Sequence, residues 1–191
     1  MSEKLDQAIA FATEAHKGQT RKLQCTPYIL HPIEVATIIS TMTNDEDVMI
    51  AGLLHDTVED ANVDPKTISE LFGPRVSALV QSETEDKLSS RPAAETWKER
   101  KEDSLLMLRY TKDLDVKRLW LGDKLSNIRS FHNSSLTMGD DIWKDLNQKD
   151  PKMHEWYYRT IAEYVSDLSD TAAYKEYMAR LDLLFGKGAP T

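Results

Sequence analysis

Residues 48–60 read VMIAGLLHDTVED, an apolar run that ends in a cluster of ionisable side chains. Four residues in its second half can bind a metal ion or carry a proton: His55, Asp56, Glu59 and Asp60. If the segment is one helix, the spacing places His55 and Glu59 on one face, and Asp56 and Asp60 form a second such pair beside it. Carboxylates packed this closely repel one another unless a cation lies among them. A solvated helix end with a histidine packed on the core is the alternative, because one His-Asp pair is a weak signal.

The hydrophobic pattern predicts an all-α protein. Apolar residues recur at three- and four-residue intervals in residues 5–16, 33–42, 48–60 and 156–185, and no alternating run is long enough to predict a strand. Asp64-Pro65 and Gly73-Pro74 mark the start and end of a short helix. The polar residues 83–103 are predicted to form a loop that leads into a helix of the same domain. Residues 1–191 are therefore expected to form a single helical domain.

Composition excludes several classes of protein. A chain of 191 residues with 40% hydrophobic residues can bury one substantial core. No run approaches the roughly 18 apolar residues of a membrane span, and residues 1–10 lack the apolar segment of a secretory signal, so we expect a soluble, cytoplasmic protein. Cys25 is the sole cysteine, which rules out an internal disulfide and a multi-cysteine zinc site. The formal charge of −8 argues against a nucleic-acid surface, so an anionic ligand would need a local basic patch.

Two further segments add candidate metal ligands. PYILHPIEV (27–35) places His31 beside Pro32 at a predicted helix start, and LWLGDKLSNIRSF (119–131) places Asp123 within an apolar run. A histidine, a His-Asp pair and a distant aspartate form a mixed nitrogen and oxygen ligand set suited to Mn²⁺, Fe²⁺ or a related ion. The arrangement resembles the HD-domain metal phosphohydrolases. In that resemblance the four metal ligands are His31, His55, Asp56 and Asp123.

The flanking motifs narrow the resemblance. HKGQTRK (16–22), PYILHP (27–32), GLLHDTVED (52–60), ELFGPRVSALV (70–80) and GDKLSNIRS (122–130) follow the order seen in the hydrolase domain of Rel/Spo-type alarmone enzymes. The resemblance implies a single-domain HD-type helical bundle with one Mn²⁺ per chain. It also implies removal of the 3′-pyrophosphate from guanosine tetraphosphate or pentaphosphate. The large members carry a synthetase domain as well, and we expect none within these 191 residues.

The resemblance also assigns catalytic roles. Glu59 and Asp60 match the Glu-Asp pair of the family, one turn beyond the His-Asp ligands. They would position the attacking water and manage protons, including one for the departing ribose oxygen. A bound divalent ion would activate that water and polarise the phosphoryl group. If the two carboxylates were merely solvated, their position in the motif would be coincidental.

Five residues are candidates for substrate binding. Arg21 and Lys22 match the basic pair of the family, whose arginine packs on the purine, and a guanidinium plane suits such stacking. Asn127 follows Asp123 by one helical turn and matches a contact to the ribose and phosphate region. Ser130 stands where larger enzymes have a threonine that contacts the base. Lys101 would approach the outer phosphates if the polar loop folds over the site. The alternative for each of these residues is an ordinary solvent-exposed side chain without a role in binding.

The sequence leaves three functional classes open. The first is the alarmone 3′-pyrophosphohydrolase. The second is an HD-domain phosphohydrolase of another nucleotide, such as an adenine alarmone or a nucleoside monophosphate. The third is a binding module without turnover, which is disfavoured because every metal ligand and the Glu-Asp pair are present. Also open are the base preference, the metal used and whether the chain forms a homo-oligomer.

Overall fold

A computed structural model describes residues 2–88 and 90–186, and these residues form helices without any β-strand. The ten α-helices are α1 (Glu3–Ala15), α2 (Leu30–Ser40), α3 (Glu46–Leu54), α4 (Thr57–Ala61), α5 (Pro65–Phe72), α6 (Pro74–Glu83), α7 (Ala93–Tyr110), α8 (Leu114–Met138), α9 (Pro151–Tyr164) and α10 (Ala172–Phe185). Short 3₁₀ helices follow α8 (Gly139–Trp143) and α9 (Ser166–Leu168). The predicted all-α class is confirmed.

Several helices begin where an Asp or Thr side chain accepts a hydrogen bond from a free backbone N–H of the first turn. The capping residues are Asp45, Asp64, Asp113, Asp150 and Thr171. Pro65 begins α5 and Gly73 ends it, as the sequence predicted. The loop predicted within residues 83–103 is also present, since α6 ends at Glu83 and α7 begins at Ala93.

The prediction of one continuous helix over residues 48–60 is wrong. Helix α3 ends at Leu54, His55 and Asp56 form a turn, and α4 begins at Thr57. The Thr57 hydroxyl donates to the carbonyl of Leu54, and a ring nitrogen of His55 lies 2.9 Å from the carbonyl of Gly52. These side chains bind carbonyls at the end of α3 and offer them an alternative to the helical ladder. The break therefore falls within the His-Asp pair.

The buried apolar side chains form two clusters that share helices α2 and α8. One cluster lies among α1, α2, α3, α5 and α6, and the other lies among α7 to α10. On α8, Leu119 belongs to the first cluster and Leu125 to the second. On α2, Ile39 belongs to the first cluster and Ile38 to the second. Helices α2 and α8 therefore join the two halves of the described residues into one unit.

Two glycines allow α3 and α8 to pack closely against α2. A Cβ atom on Gly52 would lie 2.6 Å from Cδ1 of Ile39, and one on Gly122 would lie 2.9 Å from Cγ1 of the same residue. Ile39 is fully buried, so it has little room to move. This close packing brings His31, His55 and Asp123 together. No helix in the described part of the chain is both long and apolar enough to cross a bilayer.

Gly52→Ala is expected to lower the free energy of unfolding by about 1–3 kcal/mol, the usual cost of overpacking a core. The loss should occur although alanine favours a helix over glycine by about 1 kcal/mol. Ile39→Val removes the clashing carbon and by itself costs about 0.5–1.5 kcal/mol. In urea unfolding, the double variant should lose less unfolding free energy than the sum of the losses measured for the two single variants. Strict additivity would show that the approach of α2 to α3 does not restrict this position.

Candidate active site

Three helices bring a compact set of nitrogen and oxygen atoms together. His31 lies in the first turn of α2, His55 follows α3, and Asp123 lies midway along α8. Their candidate ligand atoms are all within 4.8 Å of one another, and all three residues are buried. Oδ1 of Asp123 lies 3.0 Å from Nε2 of His31 and 3.6 Å from Nε2 of His55. Oδ2 of Asp56 lies 2.9 Å from Nε2 of His55 and 3.5 Å from Nε2 of His31. The structure thus brings all four predicted ligands together.

Hydrogen bonds on the far side of each imidazole fix which nitrogen faces the cluster. The Ser126 hydroxyl donates its one proton to Glu34 at 2.7 Å, so it must accept from Nδ1 of His31 at 2.8 Å. Nδ1 of His55 faces the carbonyl of Gly52, which can only accept. Each neutral ring therefore carries its proton on Nδ1 and presents the Nε2 lone pair to the carboxylates. Such outer hydrogen bonds are typical of histidines that ligate metal.

The cluster fits a divalent cation. Nε2 of His55 is buried without a hydrogen-bond partner among the described residues, although Asp56 is close. Bare nitrogens that face carboxylate oxygens are unfavourable unless the rings gain protons or a cation lies between them. Burial opposes a charged ring, yet Asp56 and Asp123 outweigh it and raise the pKa of His55 well above its usual value. Two imidazole nitrogens and two carboxylates are donors suited to Mn²⁺, Fe²⁺ or a similar ion.

The second oxygen of Asp123 is also bound. Lys124 donates to Oδ2 of Asp123, and its Nζ lies 3.0 Å from Oε1 of Glu83. Asn127, one turn further along α8, donates to Oδ1 of Asp123 at 2.7 Å. Burial would raise the pKa of Asp123, but Lys124 and the two histidines hold it well below its usual range. The Asp123 carboxylate is therefore ionised and fixed in orientation.

Glu59 and Asp60 lie beside this cluster on α4. Asp60 pairs with Lys87 at 2.6 Å, and the Tyr28 hydroxyl lies 3.3 Å from Asp60 while it donates to Asp56 at 2.6 Å. Burial raises the pKa of Glu59 to about 7, and the charges of Asp56 and Asp60 add to the effect. A carboxyl group with a pKa near 7 can both accept and release a proton at neutral pH.

A cleft of about 670 Å³, the main cleft, opens next to Glu59 and Asp60. Four predicted binding residues line it: Arg21, Lys22, Asn127 and Ser130. The Arg21 guanidinium donates to the Asn127 side chain at 3.0 Å and lies 5.9 Å from the centre of the Tyr28 ring. Residues that are far apart in sequence thus form one polar wall of the main cleft.

Lys101 lies outside the main cleft. It lines a second cavity of about 200 Å³, which shares Lys22 and Asn127 with the main cleft. Its ammonium group lies 2.7 Å from Glu85 and 5.1 Å from the centre of the Tyr157 ring. Burial, together with the nearby charge of Lys124, lowers the pKa of Lys101 to about 8.

Three residues that contact the candidate ligands were not singled out from the sequence: Tyr28, Lys124 and Ser126. All three stand inside the motifs that carry the ligands, PYILHP and GDKLSNIRS. Their position within these motifs, close to a candidate ligand, could therefore have identified them from the sequence. Their hydrogen bonds to Asp56, Asp123 and His31 depend on how α2, α8 and the α3–α4 turn meet.

Comparison with known proteins agrees with this geometry. Residues 8–150 match the HD domain family. The chain belongs to the HD-domain family. A solved structure of a metazoan ortholog of SpoT, described as a protein that hydrolyses ppGpp and plays a role in starvation responses, is 28% identical, with a TM-score of 0.77 over 95% of each chain. The crystal structure of a Listeria monocytogenes EGD-e protein is 30% identical, with a TM-score of 0.71 over 82% of this chain and 99% of that one.

Curated relatives of this HD-domain protein are much longer. A putative chloroplastic GTP diphosphokinase of Arabidopsis thaliana is 35% identical over 152 residues, which cover 73% of this chain and 17% of that protein. A GTP pyrophosphokinase of Myxococcus xanthus is 32% identical over 133 residues, which cover 69% of this chain and 17% of the relative. The chain spans about 17% of the length of these relatives, so their names describe proteins with much additional sequence.

Ser126→Ala is expected to weaken Mn²⁺ affinity by about 10- to 100-fold, the usual effect of losing an outer hydrogen bond to a metal-binding histidine. The reason is that His31 loses the acceptor that fixes its Nδ1 proton. Affinity would be measured by competition with a fluorescent chelator. Ser130→Ala, one turn further along α8, is the matched control and should retain wild-type affinity. Wild-type Mn²⁺ affinity in the Ser126→Ala variant as well would show that Ser126 does not orient His31.

Proposed function

We propose that this protein hydrolyses the 3′-pyrophosphate of guanosine tetraphosphate or pentaphosphate to GDP or GTP and pyrophosphate. We further propose Mn²⁺ as the cofactor, one ion per chain, held by His31, His55, Asp56 and Asp123. One observation carries the proposal. The Nε2 atoms of His31 and His55 face the carboxylates of Asp56 and Asp123, and this cluster lies beside Glu59 at a cleft lined by basic side chains. The likeness to the metazoan SpoT ortholog supports it, because that protein is described as hydrolysing ppGpp.

The reaction requires a positioned water molecule and groups that accept and donate protons. The water oxygen attacks the phosphorus on the ribose 3′-oxygen, the bond from phosphorus to that oxygen breaks, and the oxygen takes up a proton. When bound, the divalent ion lowers the pKa of a coordinated water and polarises the phosphoryl group. We assign the acceptance of the water's proton to Glu59, because it lines the main cleft beside the candidate ligands and burial raises its pKa above the usual carboxyl value. Asp60, paired with Lys87, would help to position the water.

The main cleft supports a nucleotide as the substrate. Arg21 would turn its guanidinium from Asn127 toward the purine, since such planes stack well on aromatic rings. Lys22 would neutralise phosphate charge, while Asn127 and Ser130 would contact the ribose and the base. The two cores share α2 and α8, which supports a single hydrolase domain for residues 1–191.

Product analysis tests the proposal most directly. Purified protein with Mn²⁺ should convert guanosine tetraphosphate to GDP and intact pyrophosphate, and chelation should abolish the reaction until Mn²⁺ is restored. Phosphorus NMR would identify the products, and the panel should include adenosine 3′-pyrophosphorylated nucleotides and nucleoside monophosphates. Stepwise release of single phosphates, or a clear preference for adenine or monophosphate substrates, would favour the other phosphohydrolase class.

Carboxylate variants should separate metal binding from chemistry. Glu59→Gln and Asp60→Asn are expected to keep the metal but to lose about 10²–10⁴-fold in kcat, the usual contribution of acid-base groups. Asp123→Ala should instead lose both metal and activity, as measured by elemental analysis of the same samples. Glu70→Gln, on the exposed face of α5, is the control. Near-normal turnover in both the Glu59 and Asp60 variants would remove these residues from the mechanism.

A further inference from the structure

The second cavity concentrates positive charge beside the candidate metal ligands. It lies among α7, α8, α9 and residues 146–148, and Lys22, Lys101 and Lys124 line it. Trp97, His154 and Tyr157 supply aromatic walls. Lys124 is 9% exposed, so water screens its charge only weakly. A small cavity lined by three lysine side chains is suited to a compact anion.

The two most enclosed amines still have unused hydrogen-bond donors. An ammonium group has three N–H bonds. Among the described residues, Lys101 donates only to Glu85, and Lys124 donates only to Glu83 and Asp123. Three N–H bonds are therefore left for a ligand with several acceptor oxygens. A phosphate group is such a ligand, and charge-assisted hydrogen bonds to it are strong.

Asp123 links this cavity to the candidate metal centre. Its Oδ1 faces His31 at 3.0 Å, and its Oδ2 accepts from Lys124. The amine that lines the cavity and the atoms that would hold the ion are thus separated by one carboxylate group. A phosphate attached directly to the reacting phosphoryl group can bridge so short a separation. The 5′-phosphates of a nucleotide are further away, because the ribose ring lies between them and the 3′-oxygen.

We propose that the second cavity binds the outer phosphate of the leaving pyrophosphate, and that Lys101 and Lys124 thereby select a 3′-pyrophosphate over a 3′-monophosphate. The inference rests on the proposed hydrolase function and deepens it. Lys124 acts together with Asp123, whereas Lys101 makes no hydrogen bond to a candidate metal ligand within the described part of the chain. Lys101 is therefore the residue whose removal tests the cavity without disturbing the ion.

The test compares Lys101→Met with Lys98→Met, an exposed lysine on the same helix that pairs with Glu102. For guanosine 5′-diphosphate 3′-diphosphate, Lys101→Met should lower kcat/KM by about 10- to 100-fold, the equivalent of one hydrogen bond to a charged group. For guanosine 5′-diphosphate 3′-monophosphate, kcat/KM should change by less than about threefold, because this substrate has no outer 3′-phosphate to accept a hydrogen bond from Lys101. Lys101→Arg should keep most of the preference, and Lys98→Met should match wild type. Equal losses on both substrates, or no loss, would overturn the proposal.

A substrate with a single 5′-phosphate distinguishes the two possible sources of the bound phosphate. If the cavity holds the 3′ chain, the effect of Lys101→Met should be the same for guanosine 5′-monophosphate 3′-diphosphate as for the 5′-diphosphate. An effect that disappears with the shorter 5′ chain would assign the cavity to the 5′-phosphates and contradict the proposal. Release of no pyrophosphate by wild type would instead refute the proposed function, and this inference would fall with it.

A structure provides a test that does not depend on folding of the lysine variant. Crystals of Glu59→Gln protein with Mn²⁺ and intact guanosine tetraphosphate should show the outer 3′-phosphate within hydrogen-bond distance of Nζ of Lys101 and Lys124. An outer phosphate bound to Lys87 in the main cleft, with the second cavity holding only water, would refute the assignment.

Discussion

The described structure depends on placing two buried imidazoles, the buried Asp123 carboxylate and the partly buried Asp56 carboxylate where three helices meet. Removing charged groups from water is costly unless each is paired or binds a cation. His31, His55, Asp56 and Asp123 meet this condition by facing one another, and outer hydrogen bonds hold each ring in place. The surrounding helices must approach closely to keep these distances, which is why glycines face Ile39 on both α3 and α8. Packing and candidate chemistry are therefore set by the same contacts.

Helix α8 connects the parts of the candidate site. Asp123 faces the two histidines, Lys124 lines the second cavity, and Asn127 and Ser130 line the main cleft. These residues lie within two turns of one helix whose apolar side chains belong to both cores. A rigid, buried helix limits the freedom of each polar side chain and so preorganises the candidate site.

The acidic net charge of the chain is compatible with an anionic ligand because positive charge is concentrated locally. Arg21, Lys22 and Lys87 line the main cleft, and Lys101 and Lys124 line the second cavity. Carboxylates pair with several of these amines, as Asp60 does with Lys87 and Glu85 does with Lys101. The loop between α6 and α7 carries both Glu85 and Lys87, so this polar segment contributes to the candidate site.

The sequence by itself determined the helical class and the candidate ligand set, because apolar periodicity and motif order are local properties of the chain. It also predicted Arg21 and Asn127 as substrate contacts, although nothing in it indicated that their side chains would meet. Tertiary structure decided the position of Lys101 in the second cavity, the contact between Arg21 and Asn127, and the link from Glu34 through Ser126 to His31. The hydrogen bonds among these residues join positions 92 to 106 apart in the sequence. Local pattern carries no information on those contacts, since they form only when α2, α3 and α8 pack together.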